Sequence, residues 1–530
     1  MKLNYKRTIL VGFAFFLISA FWQAYDATIP VILTNKFGMS QTWSGVIMAL
    51  DNILALFMLP LFGTLSDKHE GKSGRRTPVI RVGTLVAAIA LVALSFADGM
   101  QLKQLDAVSA IDDPAALSTL YDTQAGKTLL TPDGDKYILG EDQDETTINV
   151  SKEQFVAILS TDKQVAVDPD TGKEKEVSPY AQYVVPARQA YAADATAANP
   201  GPLILFVCIL LVLLIAMATF RSPAVALMPD VTIKPLRSKA NAIINLMGTA
   251  GGILVLVLGM VFGTSAVKNS LMNYTFYYTV IAAVMVGALI TFLLTVKEPQ
   301  WAAQMQSDAI RYGVDDKEEE AQAGEKRKLT GPEVRSLILI LLSVALWYFG
   351  YNAVTSKYSV YAPNVLQKNY NTTMLIAQGA AIIAYLPAGM VASKIGRRKT
   401  ILAGVVMLGT AFGVAAMMTA NSPDWLMNVM FALAGVAWAT INVNSFPMVV
   451  EMSSGADVGK YTGFYYTASM AAQTVTPMFS GFLMDQMGMT VLFPYATVFV
   501  VLAFVTMFFV RHGDAKVTAK KGLEALDIDD

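Results

Sequence analysis

Long apolar runs alternate with short polar connections from one end of the chain to the other. A helix that crosses a bilayer needs about 20 predominantly apolar residues. Twelve stretches are of that kind: 8–32, 42–65, 78–97, 202–229, 239–264, 274–296, 334–360, 373–392, 400–420, 425–450, 461–484 and 490–510. Basic residues are spread unevenly between them. Lys2, Lys6 and Arg7 precede span 1, and Lys68, Lys72, Arg75 and Arg76 separate spans 2 and 3. Lys234, Arg237 and Lys239 separate spans 4 and 5, Lys394, Arg397, Arg398 and Lys399 separate spans 8 and 9, and Lys460 separates spans 10 and 11. Arg511 follows span 12. Cytoplasmic connections carry the excess of Lys and Arg. Every even-to-odd connection and both termini are therefore expected on the cytoplasmic side of a cell membrane. The first run, MKLNYKRTILVGFAFFLISAFW, is read as a span and not as a signal peptide, because it is long and no A-x-A-like site closely follows it.

Two connections are long. Residues 98–199 hold roughly twice as many acidic as basic residues, with β-branched stretches and turn signals such as TPDG and DPDTG. They predict a small β-rich domain outside the membrane; the alternative is a disordered acidic insertion. Residues 297–333 are polar, include QAGEKRKLTGPE, and read as a cytoplasmic linker with a short surface helix. The expected organisation is an N-terminal six-helix half (1–97 and 200–296), the insertion, the linker, a C-terminal six-helix half (334–511) and a cytoplasmic tail (512–530). The fold class is all-α membrane protein, with twelve transmembrane helices in two halves.

Composition agrees with this reading and narrows the function. Of 530 residues, 54% are hydrophobic and 15% charged, against about 25% charged in soluble domains. Mean hydropathy is +0.47. The net charge of −1 gives no reason to expect a nucleic-acid partner. The single cysteine, Cys208, cannot form a disulfide within the chain. His69 and His512 both lie in polar stretches, which argues against catalytic histidines or His-based metal sites in the membrane. No P-loop, metal-ligand cluster or nucleophile–base arrangement stands out, so neither an enzyme nor a resident cofactor is expected. The 27 methionines read as core filler.

One polar knot recurs. GTLSDKHEGKSGRR at 63–76 follows span 2, and the shorter GMVASKIGRR at 389–398 follows span 8. Gly63, Lys68, Gly74, Arg75 and Arg76 in the first match Gly389, Lys394, Gly396, Arg397 and Arg398 in the second, with Asp67 at the place of Ser393, as a weak internal repeat of the sort common in secondary transporters. Glycine permits close helix approach. Asp67 can receive backbone N–H bonds or pair with arginine. Such a knot can latch the halves together when an inner gate is shut. Arg81, Arg221, Asp230 and Glu451, near inner helix ends, are assigned to the same network.

The two knots, in a chain of six plus six spans, resemble the major facilitator superfamily. The enlarged first copy, LPLFGTLSDKHEGKSGRRTPVI, resembles a segment of the glycoside–pentoside–hexuronide:cation symporters, in particular their sucrose/proton symporter-like branch. WQAYDATIPVILTNKFGMS and RSPAVALMPDVTIKPLRSKANAI are similar to that branch's first-helix and helix 4–5 segments. The resemblance implies alternating-access transport of a sugar with a coupling cation. Sodium/melibiose-type members have paired acids in helix 2, whereas Ala55 and Leu59 stand at those places here. That departure favours a proton over sodium.

Charges at membrane depth are expensive and usually mark a pathway. Asp26, four residues before Pro30, and Asp51, beside Asn52, are the candidates for proton coupling. Sugar recognition needs amides, carboxylates and an aromatic platform. Trp22, Gln23 and Tyr25 on span 1 supply such groups, as do Tyr348, Tyr351, Asn352 and Lys357 on span 7. Trp438, Asn442 and Asn444 on span 10, and Tyr465, Tyr466 and Gln473 on span 11, complete the set. The expected partners are a small sugar and the lipid bilayer, and the expected state is a monomer. Rival readings are an exporter, a carrier of a non-sugar solute such as a peptide or nucleoside, and a membrane sensor using the outer insertion as its receptor.

Overall fold

The computed structural model describes residues 3–67, 71, 73–110, 113–141, 144, 146–160, 164–167, 174–312, 329–452 and 458–513. Its first helix, α1 (Tyr5–Asn35), starts from Asn4, whose side chain accepts from the Arg7 N–H at 3.2 Å. At 1.5 Å per residue, its 31 residues reach roughly 46 Å, longer than the apolar layer of a bilayer. The second predicted span is interrupted at Ala49, between α2 (Gln41–Met48) and α3 (Leu50–Asp67). The other long helices of the N-terminal half are α4 (Thr77–Gln104), α9 (Gly201–Val231), α10 (Lys234–Phe262) and α11 (Thr275–Thr295). Helix α12 (Glu298–Tyr312) follows. The C-terminal half contains α13 (Gly331–Tyr361), α14 (Tyr370–Ile395), α15 (Arg397–Ala415), α16 (Asp424–Val450), α17 (Val458–Met487) and α18 (Leu492–Phe508).

Among the described residues, nine helices are long and apolar enough to cross a membrane. Helices α3, α14 and α17 pack in the same bundle. The chain is a multi-pass membrane protein. Its outward-facing positions carry Phe57, Ile89 and Leu294, which would be costly against water and are at home against lipid.

Packing repeats with the sequence. In the first half α1 lies on α10 and α11, α4 on α9 and α11, and α3 on α9. In the second, α13 lies on α17 and α18, α15 on α16 and α18, and α14 on α16. Each half has its own core. Phe21, Tyr277 and Tyr278 fill the first, and Trp347, Tyr358 and Phe493 fill the second. Among the described residues, four helix pairs chiefly join the halves: α2 and α3 each with α17, α10 with α14, and α1 with α13. The α2–α17 crossing is backbone on backbone. A Cβ on Gly45 would come within 2.0 Å of the Pro477 carbonyl oxygen, and one on Gly481 within 2.2 Å of that of Gln41. Small residues are what allow such an approach.

The insertion corrects the β-rich expectation. Its described residues form α5 (Asp106–Ser109), α6 (Pro114–Gln124), α7 (Lys152–Ala157) and α8 (Val185–Ala198) around five strands of three or four residues. Strand β1 (Thr128–Leu130) pairs antiparallel with β2 (Lys136–Leu139), and β2 pairs parallel with β3 (Ile148–Val150). A separate antiparallel pair joins β4 (Gln164–Val167) and β5 (Glu174–Val177). Alanine-rich stretches such as QAYAADATAA favour helix, and this outweighs the isolated β-branched residues. Helix α6 also has Asp113 accepting from Ala115 N–H at 2.9 Å, with Pro114 in its first turn. The TPDG stretch makes the β1–β2 turn, with Gly134 at φ +100°. The DPDTG stretch lies outside the described residues. Leu117, Tyr137, Leu139, Phe155 and Tyr180 give the insertion a core of its own, so its described part is folded, contrary to a disordered insertion.

Candidate functional site: a cavity between the halves

A cavity of about 1000 Å³ lies between the halves. Its wall runs from Tyr5, at the start of α1, to Gln23 and Asp26, about two-thirds of the way along that helix. At the opposite end the halves are joined. Lys357 Nζ donates to the Gln41 carbonyl at 2.6 Å. The Asp485 carboxylate accepts from Gln41 N–H at 2.7 Å, Thr42 N–H at 2.8 Å and the Thr42 hydroxyl at 2.5 Å. Tyr370 N–H donates to Ser265 at 2.7 Å and Asn371 to Thr264 at 3.0 Å. The cavity therefore opens on the face that carries the two polar knots and is sealed on the face that carries the insertion.

An amide chain forms the roof. Gln23 Nε2 donates to the Tyr370 hydroxyl at 3.2 Å, and Gln23 Oε1 accepts from Gln378 Nε2 at 2.5 Å. One turn further along α1, Asp26 faces the cavity. Asp51 lies in the first turn of α3 and accepts from Asn52 Nδ2 at 2.8 Å. It is within electrostatic range of both Asp26 and Arg221. Arg221 lines the cavity, with its guanidinium 5.7 Å from the centre of the Trp22 ring. This moves Arg221 from the expected gate network to the cavity wall. Across from it, Tyr351 stacks on Trp438 with centroids 3.6 Å apart and planes within 5°. Tyr348 meets the same Trp438 edge-on at 5.2 Å.

Of the residues nominated from sequence, Trp22, Gln23, Asp26, Tyr351, Trp438 and Asn442 line the cavity. Tyr25 is buried beside Trp22, with ring centroids 5.4 Å apart. Asn352 is half-buried on α13 and does not line the cavity. Asn444 is turned into its own helix and donates to the Thr440 carbonyl at 2.8 Å. Tyr465 is buried against Ser445, 2.9 Å between hydroxyl oxygens. Tyr466 is half-exposed and Gln473 half-buried, both away from the lining. Lys357 is fully buried in the sealed face instead of facing a solute, because its long stem reaches the α2 backbone across the interface.

Sequence reasoning missed Gln378 and Tyr385 on α14. Both line the cavity, and the Tyr385 hydroxyl is within hydrogen-bonding reach of Asn442. Their spacing of seven residues puts them on one helix face, which was the available signal.

The knots tie elements together within each half. Arg76 Nε lies 2.8 Å from Asp230, and the same guanidinium bonds Ser66. The Glu298 carboxylate, 3% exposed, accepts from the N–H groups of Arg75, Arg76 and Thr77 at 2.6, 2.9 and 2.8 Å, and from the Thr77 hydroxyl at 2.6 Å. It satisfies the free donors at the start of α4 from another helix. Glu298 was also missed: in the sequence it reads as the first acid of the linker. In the second copy, Arg397 pairs with Glu451 at 2.7 Å, and Arg398 donates to the Phe508 carbonyl. Gly74 and Gly396 hold φ +100° and +94°. Arg75, Arg81 and Lys394 are exposed, and Gly389 sits within α14. Gly63 and Asp67 are helical, and their side chains lie outside the described set. With the cavity open toward the knots, the described bonds fasten each half and do not latch one half to the other.

The whole chain superposes on the inward-open xylose transporter XylE from E. coli with a TM-score of 0.59, at 14% identity, covering 99% of both chains. The two chains share a fold. The peptide transporter POT in complex with sulfate shares it at TM-score 0.56 and 10% identity, over 95% of this chain and 93% of that one. The nucleoside transporter NupG shares it at 0.52 and 14%, over 95% and 100%. The family model described as Major Facilitator Superfamily matches residues 370–527. A curated relative, the MFS-type transporter ppzB of Metarhizium majus, is 26% identical over 137 residues, which is 26% of this chain. The chain spans 29% of the length of that relative.

Proposed function

We propose that this chain is a member of the major facilitator superfamily, a secondary transporter that takes up a sugar, a glycoside or small oligosaccharide, together with a proton. Twelve helices would cross the plasma membrane, with both termini and both knots in the cytoplasm and the protein acting as a monomer. The observation that carries the proposal is a cavity between two repeated halves, open to one face only, with the Asp26 carboxyl and an aromatic stack on its wall. Alternating access requires that geometry, with solute held near the midplane at the repeat interface.

Charge counting supports the proton. Arg221 is the one cation among the described residues lining the cavity; it is within electrostatic range of Asp51, which is in turn within range of Asp26. When both are ionised, one negative charge is unmatched, and a proton can neutralise it. The Trp438–Tyr351 stack offers an edge and a face to a sugar ring, and Gln23, Gln378 and Asn442 offer amides to its hydroxyls. Likeness to the xylose, peptide and nucleoside transporters supports the fold alone, so the sugar reading rests on the lining. The sugar-symporter branch is proposed from the enlarged first knot.

The test is uptake of radiolabelled sugars into proteoliposomes under an imposed pH gradient. Accumulation should follow the proton gradient, and Asp26→Asn should abolish it while leaving sugar exchange at zero gradient. Accumulation driven by sodium with no response to pH would overturn the proton. Peptide or nucleoside uptake with none of sugar would overturn the cargo and favour the rival carrier reading.

A further inference from the structure

The insertion is built onto one half and touches the other. On its own side α4 runs into it and α8 leads out of it to α9. Gln189 donates to Asn35 at 2.7 Å, and Gln101 donates to the Lys36 carbonyl and to Thr196, each at 2.9 Å. Beneath these bonds Lys36 pairs with Asp98 at 2.6 Å, both fully buried, with the ammonium 4.7 Å from the Tyr274 ring centre. Leu271, from the connection between α10 and α11, joins the insertion's core. These attachments make the insertion a rigid extension of the N-terminal half.

Among the described residues, two contacts reach the C-terminal half. The first is turn on turn. Met489 N–H, just past α17, donates to the Pro132 carbonyl at 3.0 Å. Gly134 and Gly488 face one another there, both at positive φ, and a Cβ on Gly488 would come within 2.8 Å of the Gly134 Cα. Asp133 in the same turn is held to the insertion by Gln182, at 3.1 Å. The second contact packs residues 180–184 against the wide turn 362–366 that ends α13.

From this arrangement we infer that the insertion is an external clasp: it holds the sealed face shut by gripping the 487–489 turn with its 131–135 turn. The inference rests on the alternating-access reading. In that reading the sealed face must part to admit solute. A body fixed to one half cannot stay bonded to the other while they separate, so the grip is released on each outward opening. It therefore biases the resting protein toward the cavity-inward state. The bond is a single backbone pair between two glycine-bearing turns, close-fitting yet small enough to break in every cycle.

The experiment measures opening directly. In a Cys208→Ser background, Ser44→Cys places a thiol on α2, where that helix packs against α17 and Ser44 is fully buried. Its labelling by a membrane-impermeant maleimide in intact vesicles reports parting of the sealed face. Replacing 131–135 by Gly-Gly should speed labelling several-fold. Gly488→Val, which forces the turns apart without shortening the insertion, should do the same. Unchanged labelling in both variants, with the protein still monodisperse and helical, overturns the clasp. Conversely, Pro132→Cys paired with Met489→Cys should lose uptake of radiolabelled sucrose, the small glycoside used as probe, when oxidised to a disulfide, and regain it on reduction. Uptake that persists in the cross-linked protein also overturns it. If no solute is carried at all, the transport reading fails while the labelling arms still decide the clasp.

Discussion

The two polar knots share a repeat and differ in what they hold. Each has a glycine at positive φ followed by two arginines, and each sends one arginine to an acid at the end of a neighbouring long helix. Yet the arginine differs: it is the second after Gly74 and the first after Gly396. The helix start explains this. Helix α4 begins three residues after its glycine, with Arg76 as N-cap, whereas α15 begins directly after Gly396. Counted from the helix start, Arg76 stands one residue before the first helical position and Arg397 at it, so the arginine at the mouth of the helix, and not a fixed distance from the glycine, reaches the acid. The first copy also receives Glu298 from α12, which fastens the start of α4 to the segment between the halves. A repeat in sequence preserves the backbone turn and leaves the partner to local helix phase.

Substitutions at the knots separate these contributions, measured by denaturant or thermal unfolding in detergent. Glu298→Ala should cost the most, about 3 kcal/mol, because it leaves three buried or half-buried N–H groups without their charged acceptor. A loss below about 1 kcal/mol would mean that water satisfies the α4 start. Gly74→Ala comes next, at about 2–3 kcal/mol. It combines a strained φ with a Cβ only 2.3 Å from the Glu298 carboxyl carbon. Gly396→Ala meets the backbone strain, with an expected cost of about 1–2 kcal/mol. Equal losses at the two glycines would show that Glu298 yields freely. Arg76→Ala and Arg397→Ala should each cost about 1 kcal/mol, since Asp230 and Glu451 keep 32% and 22% side-chain exposure and water screens the pairs. Lys394→Ala, exposed at the end of α14, should stay within about 0.5 kcal/mol.

Much of the bundle could be read beforehand because hydropathy is a local signal. Apolar runs marked the long helices, and matched knots marked the repeat before any packing was visible. The insertion was misread because short strands and alanine-rich helices alternate there over a few residues, too few for periodicity to separate. At the cavity, Trp22, Gln23, Asp26 and Trp438 could be nominated one by one, as polar or aromatic residues on apolar helices. Lys357 drew the same inference and landed elsewhere, because its depth along the helix was readable but the helix opposite was not. Glu298 was invisible as a cap, since its partners lie more than 200 residues earlier.

From sequence alone follow the membrane setting, the two-half organisation, the recurrence of the polar knot and the kinds of side chain available for a polar cavity. These depend on composition and on spacing within a single helix, which the covalent chain fixes directly. Which face is sealed, which acid lies near Arg221, which amides meet across the roof and what the insertion grips were decided by tertiary structure. Each of these depends on the rotation and depth of one helix against another, and only the packing of side chains from distant segments sets those.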